Sequence, residues 1–150
     1  MSERLQVFER GQARAWVAAR QGRWDHAQWL ALLDELRRGG LRIGLVSNGI
    51  RDLTAFVAHH GLDVDAIVDS RTHGRVKPHP TIFQAALELL GVDAADAVMV
   101  GDSLDEDVEG ARALGMRAIL IDREERYPEL EERLTDLYGL PAALGLRRPG

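Results

Sequence analysis

The chain has 150 residues, 45% of them hydrophobic and 29% charged, with a net charge of −5. That length supports one domain with a real core, and no basic stretch is dense enough for a nucleic-acid surface. There is no cysteine, hence no disulfide framework or thiol chemistry, no apolar run approaches the ~18 residues of a membrane span, and the N-terminus is charged rather than signal-like, so a cytoplasmic protein is expected.

In chain order, Ser2–Arg20 reads as an amphipathic helix, with Leu5, Phe8, Ala15, Trp16 and Ala19 at roughly helical spacing. Asp25 reads as the N-cap of a second helix running to Arg38, which carries Trp29, Leu32, Leu33 and Leu36 on one face and ends at Gly39-Gly40. Leu41–Val46 is the first predicted strand, and the polar turn Ser47-Asn48-Gly49 follows it at once. A helix from about Arg51 to His60 and a short strand at Ala66–Val68 come next. Ser70–His79 reads as a polar loop carrying Lys77-Pro78. Pro80 then opens a helix that places Phe83, Ala86, Leu87 and Leu90 inward and stops at Gly91. Ala97–Val100 is a short continuous apolar run, the pattern of a strand buried on both faces. Gly101 lets the chain turn, and Val108, Ala111 and Leu114 repeat at helical spacing before Gly115. Arg117–Ile121 is the last clear strand. Leu130, Leu134, Leu137 and Leu140 suggest an interrupted helix in the charged tail. Strands thus alternate with helices, which implies α/β architecture and a parallel sheet.

Three polar clusters follow strands or lie on the loop leading from one. The Ser47 hydroxyl and the backbone N–H groups after it could grip phosphate oxygens, or could simply form a turn. Lys77 is the only lysine among 19 basic residues. An ammonium is a compact point charge, suited to a phosphoryl group where a planar guanidinium is not, and its alternative is a solvated loop lysine. Asp102, Asp105, Glu106 and Asp107 crowd the tip of a strand. Their mutual repulsion calls for a hard cation such as Mg²⁺, although an acidic first helical turn is favoured by the helix dipole alone.

Taken in this order, Ser47-Asn48-Gly49, Lys77-Pro78 and Gly101-Asp102-Ser103 with Asp107 five residues after Asp102 resemble motifs two, three and four of the haloacid dehalogenase-like hydrolases. The similarity runs from Asp25 to Asp122 and is nearest to the branch whose cap is inserted after the first strand. It implies a Rossmann-like three-layer α/β sandwich. It also implies a Mg²⁺-dependent phosphatase of small phosphorylated metabolites, working through an aspartyl-phosphate, without nucleic-acid or membrane partners. By the same resemblance Ser47 binds the phosphoryl oxygen with the Asn48 and Gly49 backbone, Lys77 is the motif-three lysine and Asp102 is a metal ligand. Asp107 either supports the metal shell or orients Lys77. Residues 1–24 correspond to a remnant of a helical cap, 25–125 to the core and 126–150 to a helical tail.

The first family motif, a nucleophilic Asp-x-Asp at the tip of an apolar strand, has no counterpart at such a place. Asp63-Val64-Asp65 precedes a strand instead of following one. The expectation is therefore a truncated form, inactive alone, whose central strand is missing from a sheet of about four. Leu41–Val46 and Ala97–Val100 are then expected to pair directly, in the order 4-3-1-2, or else to expose edges for self-association. The alternative reading is an inactive phosphate- and Mg²⁺-binding module, or a subunit that accepts a partner's strand. A phospho-accepting receiver domain shares these residue types in the reverse order.

Overall fold

The computed structural model describes residues 5–8, 26–48 and 53–146. Six parallel strands form one sheet in the order β3-β2-β1-β4-β5-β6. They are β1 (Leu5–Phe8), β2 (Arg42–Ser47), β3 (Ala66–Asp69), β4 (Ala97–Gly101), β5 (Arg117–Ile121) and β6 (Arg133–Leu134). The helices are α1 (His26–Arg38), α2 (Leu53–His60), α3 (Ser70–His73), α4 (Pro80–Leu90), α5 (Gly110–Arg112) and α6 (Leu140–Ala143). None of the described helices is long and apolar enough to cross a membrane.

The sheet is covered on both faces, which is why its inner strands read as unbroken apolar runs. Successive residues of β4 go to opposite sides. Val98 and Val100 join Leu32, Leu33 and Leu36 of α1 in one core, whereas Ala97 and Met99 join Ile82, Phe83 and Ala86 of α4 in the other. β5 divides the same way, with Ile119 and Ile121 in the first core and Ala118 and Leu120 in the second. α4 is amphipathic as expected and is stopped by Gly91, which takes the left-handed conformation (φ 68°) that a side chain disfavours.

The α/β fold with a parallel sheet is thus as expected, but its centre is not. Residues Leu5–Phe8, expected within an amphipathic helix over Ser2–Arg20, form a strand between β2 and β4. Leu5 stands level with Arg42 on one side and Ala97 on the other, and Phe8 level with Leu45 and Val100. The expected direct pairing of Leu41–Val46 with Ala97–Val100 therefore does not occur, and among the described residues the sheet has six strands, not about four. The gap that motivated a strand-accepting subunit is filled by the chain itself. A strand in mid-sheet satisfies the backbone groups of both neighbours, each bond contributing about 1 kcal/mol net, which outweighs any local helical preference over four residues. The remainder of 1–24, with Trp16 and Trp24, lies outside the described residues.

The tail also differs from expectation. Arg133-Leu134 is a short strand on the edge of β5, and among the described residues of the tail only Leu137–Ala143 is helical. Asp122, buried at the end of β5, organises this region: its carboxylate accepts the Arg126 and Tyr127 backbone N–H groups, each at 2.9 Å, and lies 3.6 Å from the Arg133 guanidinium. Burial pushes the Asp122 carboxyl up, but the Tyr127 and Arg126 amides and the Arg133 and Arg126 charges outweigh it and hold the group below its ordinary value of 3.8. A carboxyl depressed in the folded state adds stability above its unfolded value and loses it as the pH falls through the folded one. Asp122→Asn is accordingly expected to lower the denaturation midpoint at pH 7 and to flatten the fall in stability below about pH 4, read from urea titrations across that range.

Candidate functional site

The strand register decides what meets at the carboxyl edge of the sheet. Phe8 is level with Leu45 and Val100, so Ser47 and Asp102, two residues further along their own chains, stand at equal height. They are separated by two strand spacings, about 10 Å. β1 and β4 divide the sheet into a half that runs β1-β2-β3 and a half that runs β4-β5-β6. In open α/β sheets the loops at such a divide splay apart and leave a crevice.

Lys77 is drawn into this edge from the β3–α4 loop. It is not the solvated loop lysine of the alternative reading: its side chain has 0% exposure, and so has that of Asp107, whose Oδ1 lies 2.6 Å from Lys77 Nζ. The other Asp107 oxygen, Oδ2, accepts the Ser103 backbone N–H at 3.0 Å. Asp107 thus ties the ammonium to the residue next to Asp102. The contact with Lys77 Nζ is of the kind that one of the two roles open to Asp107 in the sequence, orienting Lys77, requires.

A local device holds Asp107 in place. Ser103 caps a turn of π-helix over Leu104–Glu109, its Oγ accepting the Glu106 N–H at 3.1 Å. Ser103-x-x-Glu106 has the form of a capping box, in which the acid three residues on would reach back to the cap's N–H. Here the wider π turn, with the Val108 N–H donating to the Ser103 carbonyl at 3.2 Å, moves the returning acid one place along, to Asp107. Glu106 is released from that task. Behind the turn sits Gly110, where an added Cβ would lie 2.9 Å from Phe83 Cε2 and 3.0 Å from Pro78 Cβ. The absence of a side chain there lets the acidic turn close against the Lys77-Pro78 segment.

The β2 tip reaches the same loop. Ser47 is buried at the end of β2, and Asn48 Oδ1 accepts the Lys77 backbone N–H at 2.7 Å while Asn48 Nδ2 donates to the Lys77 carbonyl at 3.2 Å. Sequence reasoning assigned Asn48 only a backbone role; nothing in its spacing signals a side-chain bond across 29 residues. Gly49 lies outside the described residues. On the far side of Lys77, His79 caps α4, its Nδ1 accepting the Thr81 N–H at 3.3 Å, and Thr81 Oγ1 lies 3.0 Å from His73 Nε2 and 2.8 Å from His79 Nδ1. The loop is closed at its base by these contacts.

Contiguous hydrogen bonds therefore run from Asn48 through Lys77 and Asp107 to Ser103, beside Asp102. Ser47, Lys77, Asp102 and Asp107, distant in sequence, gather at one end of the sheet. Asp63 and Asp65 do not join them: both pair with Arg37, at 3.0 and 3.1 Å, and the Asp65 carboxylate accepts the Ile43 N–H at the opposite end of β2. Among the described residues no three His, Asp or Glu side chains form a metal cage. Mg²⁺ does not require one, since it commonly takes one or two carboxylates and completes its shell with water and substrate phosphate. Half-buried Asp102, an oxygen donor at the strand tip, fits that requirement.

A family model described as haloacid dehalogenase-like hydrolase matches residues 7–115. A phosphoserine phosphatase of Thermus thermophilus is 42% identical over 113 residues, covering 71% of this chain and 44% of that protein. A glyceraldehyde 3-phosphate phosphatase of Methanopyrus kandleri is 37% identical over 109 residues, 69% of this chain and 46% of that protein. Among solved structures, a HAD phosphatase from Thermococcus onnurineus superposes with a TM-score of 0.72 at 35% identity, over 80% of this chain and 58% of that one. The chain spans under half the length of these two curated relatives.

Two substitutions probe the site's construction. Asp107→Ala removes the carboxylate that faces a buried ammonium and is expected to cost about 3–5 kcal/mol in urea unfolding, whereas the double change Lys77→Met with Asp107→Leu costs less. Gly110→Ala presses on Pro78 and Phe83 and is expected to cost about 1–3 kcal/mol by the same measurement.

Proposed function

Because the chain belongs to the haloacid dehalogenase-like hydrolases, we propose that its site binds the phosphoryl group of a small phosphorylated metabolite together with Mg²⁺, as the core of a phosphatase. The observation that carries this reading is the buried Lys77–Asp107 pair beside the tips of β2 and β4. It sets one fixed positive charge where a dianionic group would meet the Ser47 hydroxyl. The phosphatase relatives support a phosphorylated small molecule as the ligand class.

Each residue then has a task. The Ser47 hydroxyl and the Asn48 backbone N–H donate to phosphoryl oxygens. The Lys77 ammonium offsets their charge from a site shielded from water, where an electrostatic contact is worth more than at the surface. Asp107 holds that ammonium in place, and Asp102 supplies the carboxylate for Mg²⁺. When bound, the cation draws charge from the phosphoryl oxygens and so eases attack at phosphorus.

For the chain by itself we expect binding without turnover. Asp63 and Asp65 are engaged with Arg37 away from the site, and the residue that follows β1 in sequence is Glu9, where the family's motif begins with Asp. Calorimetry with inorganic phosphate in the presence of Mg²⁺ tests the reading. Heat of binding is expected for the wild type, with affinity about tenfold weaker in Ser47→Ala, a loss of ~1.4 kcal/mol, and little Mg²⁺ dependence left in Asp102→Asn. No binding of phosphate by the wild type would defeat the proposal. An activated phosphate monoester is expected to show no hydrolysis above background; hydrolysis abolished by Asp102→Asn would demand a nucleophile within these 150 residues.

A further inference from the structure

The tasks above leave the Asn48 side chain without one. Its two polar atoms face the Lys77 backbone, Oδ1 at 2.7 Å from the N–H and Nδ2 at 3.2 Å from the carbonyl oxygen. A primary amide set against the N–H and C=O of one residue reproduces the paired exchange that an adjacent strand supplies. β2 ends at Ser47, and the Asn48 side chain carries its pairing one step further, onto a loop that belongs to no strand. Three residues on two segments thus define the place of Lys77. Asn48 fixes its backbone, Asp107 receives its ammonium at 2.6 Å, and Gly110 leaves room for Pro78 beside it.

We propose that Asn48 is a positioning residue, whose side-chain amide sets where the Lys77 ammonium stands and locks the β2 tip and the lysine loop into one unit. The neighbouring Ser47 hydroxyl and the ammonium then keep a fixed separation before any ligand arrives. The benefit to phosphate binding rests on the function proposed above; the clasp itself does not, and it can be read without ligand.

Lys77 is the only lysine in the chain, so the full-length protein labelled with [¹³Cε]lysine gives a single side-chain signal, and reductive methylation modifies one Nζ. Asn48→Leu removes both bonds at similar volume, while Asn48→Asp keeps the acceptor and loses the donor. The Lys77 signal is expected to move toward the free-lysine position in Asn48→Leu, with methylation at least about tenfold faster, and to move less far in the same direction in Asn48→Asp. Arg117→Ala, which breaks bonds to Glu132 and the Ala143 carbonyl from the opposite end of the sheet, is expected to leave the signal in place. If Asn48→Leu does not fold, Asn48→Asp decides. A folded Asn48 variant with the wild-type signal and methylation rate overturns the proposal, and so does an equal shift in Arg117→Ala. Failure of the phosphate-binding reading shows up separately, as absent binding heat in the wild type, whatever the lysine signal does.

Discussion

A lysine and an aspartate buried together are the constraint around which this end of the molecule is arranged. Taking two ions out of water costs several kcal/mol each, and their mutual attraction offsets that only with good geometry and further hydrogen bonds. The chain supplies both. One Asp107 oxygen receives the ammonium and the other receives a backbone N–H, while the Lys77 backbone is held by the Asn48 amide. The close approach at Gly110 and the π turn after Ser103 then read as conditions for forming the pair, not as separate curiosities. Such an arrangement is costly as a source of stability but well suited to presenting a charge in a fixed place before a ligand arrives.

The sheet determines where that charge is presented. Parallel strands bring the tips of β2 and β4 to one edge, and the order β3-β2-β1-β4-β5-β6 puts the divide between its two halves beside them. The β3–α4 loop then needs to travel only a short way to deliver Lys77 between Asn48 and Asp107. Membership of the haloacid dehalogenase-like hydrolases accords with this layout, and two of the relatives it matches are phosphatases of which it spans under half the length.

Much of this was legible in the residues. Strands β2 to β5 are short apolar runs followed by polar turns, α4 has a clear inward face, and the order of the serine, lysine and aspartate clusters pointed to one site. The strand β1 was not legible, because four residues are too few to separate a period of two from one of 3.6, and Leu5 and Phe8 fit either. Its state is set by neighbours about 40 and 90 residues away in the chain, a case of tertiary context overriding local preference. β6 escaped notice for a similar reason: Leu134 falls at helical spacing from Leu130 and Leu137, yet the open edge of β5 claims it. The Asn48 amide was invisible because its partner is a backbone, which leaves no mark in composition or spacing.

The placement of β1 bears on how the molecule assembles. β1 lies in mid-sheet between β2 and Ala97–Gly101. During synthesis β1 therefore keeps one flank bare until Ala97–Gly101, about 90 residues further on, has been made. Closure of the sheet is dominated by distant partners, which slows folding and prolongs the exposure of an open edge.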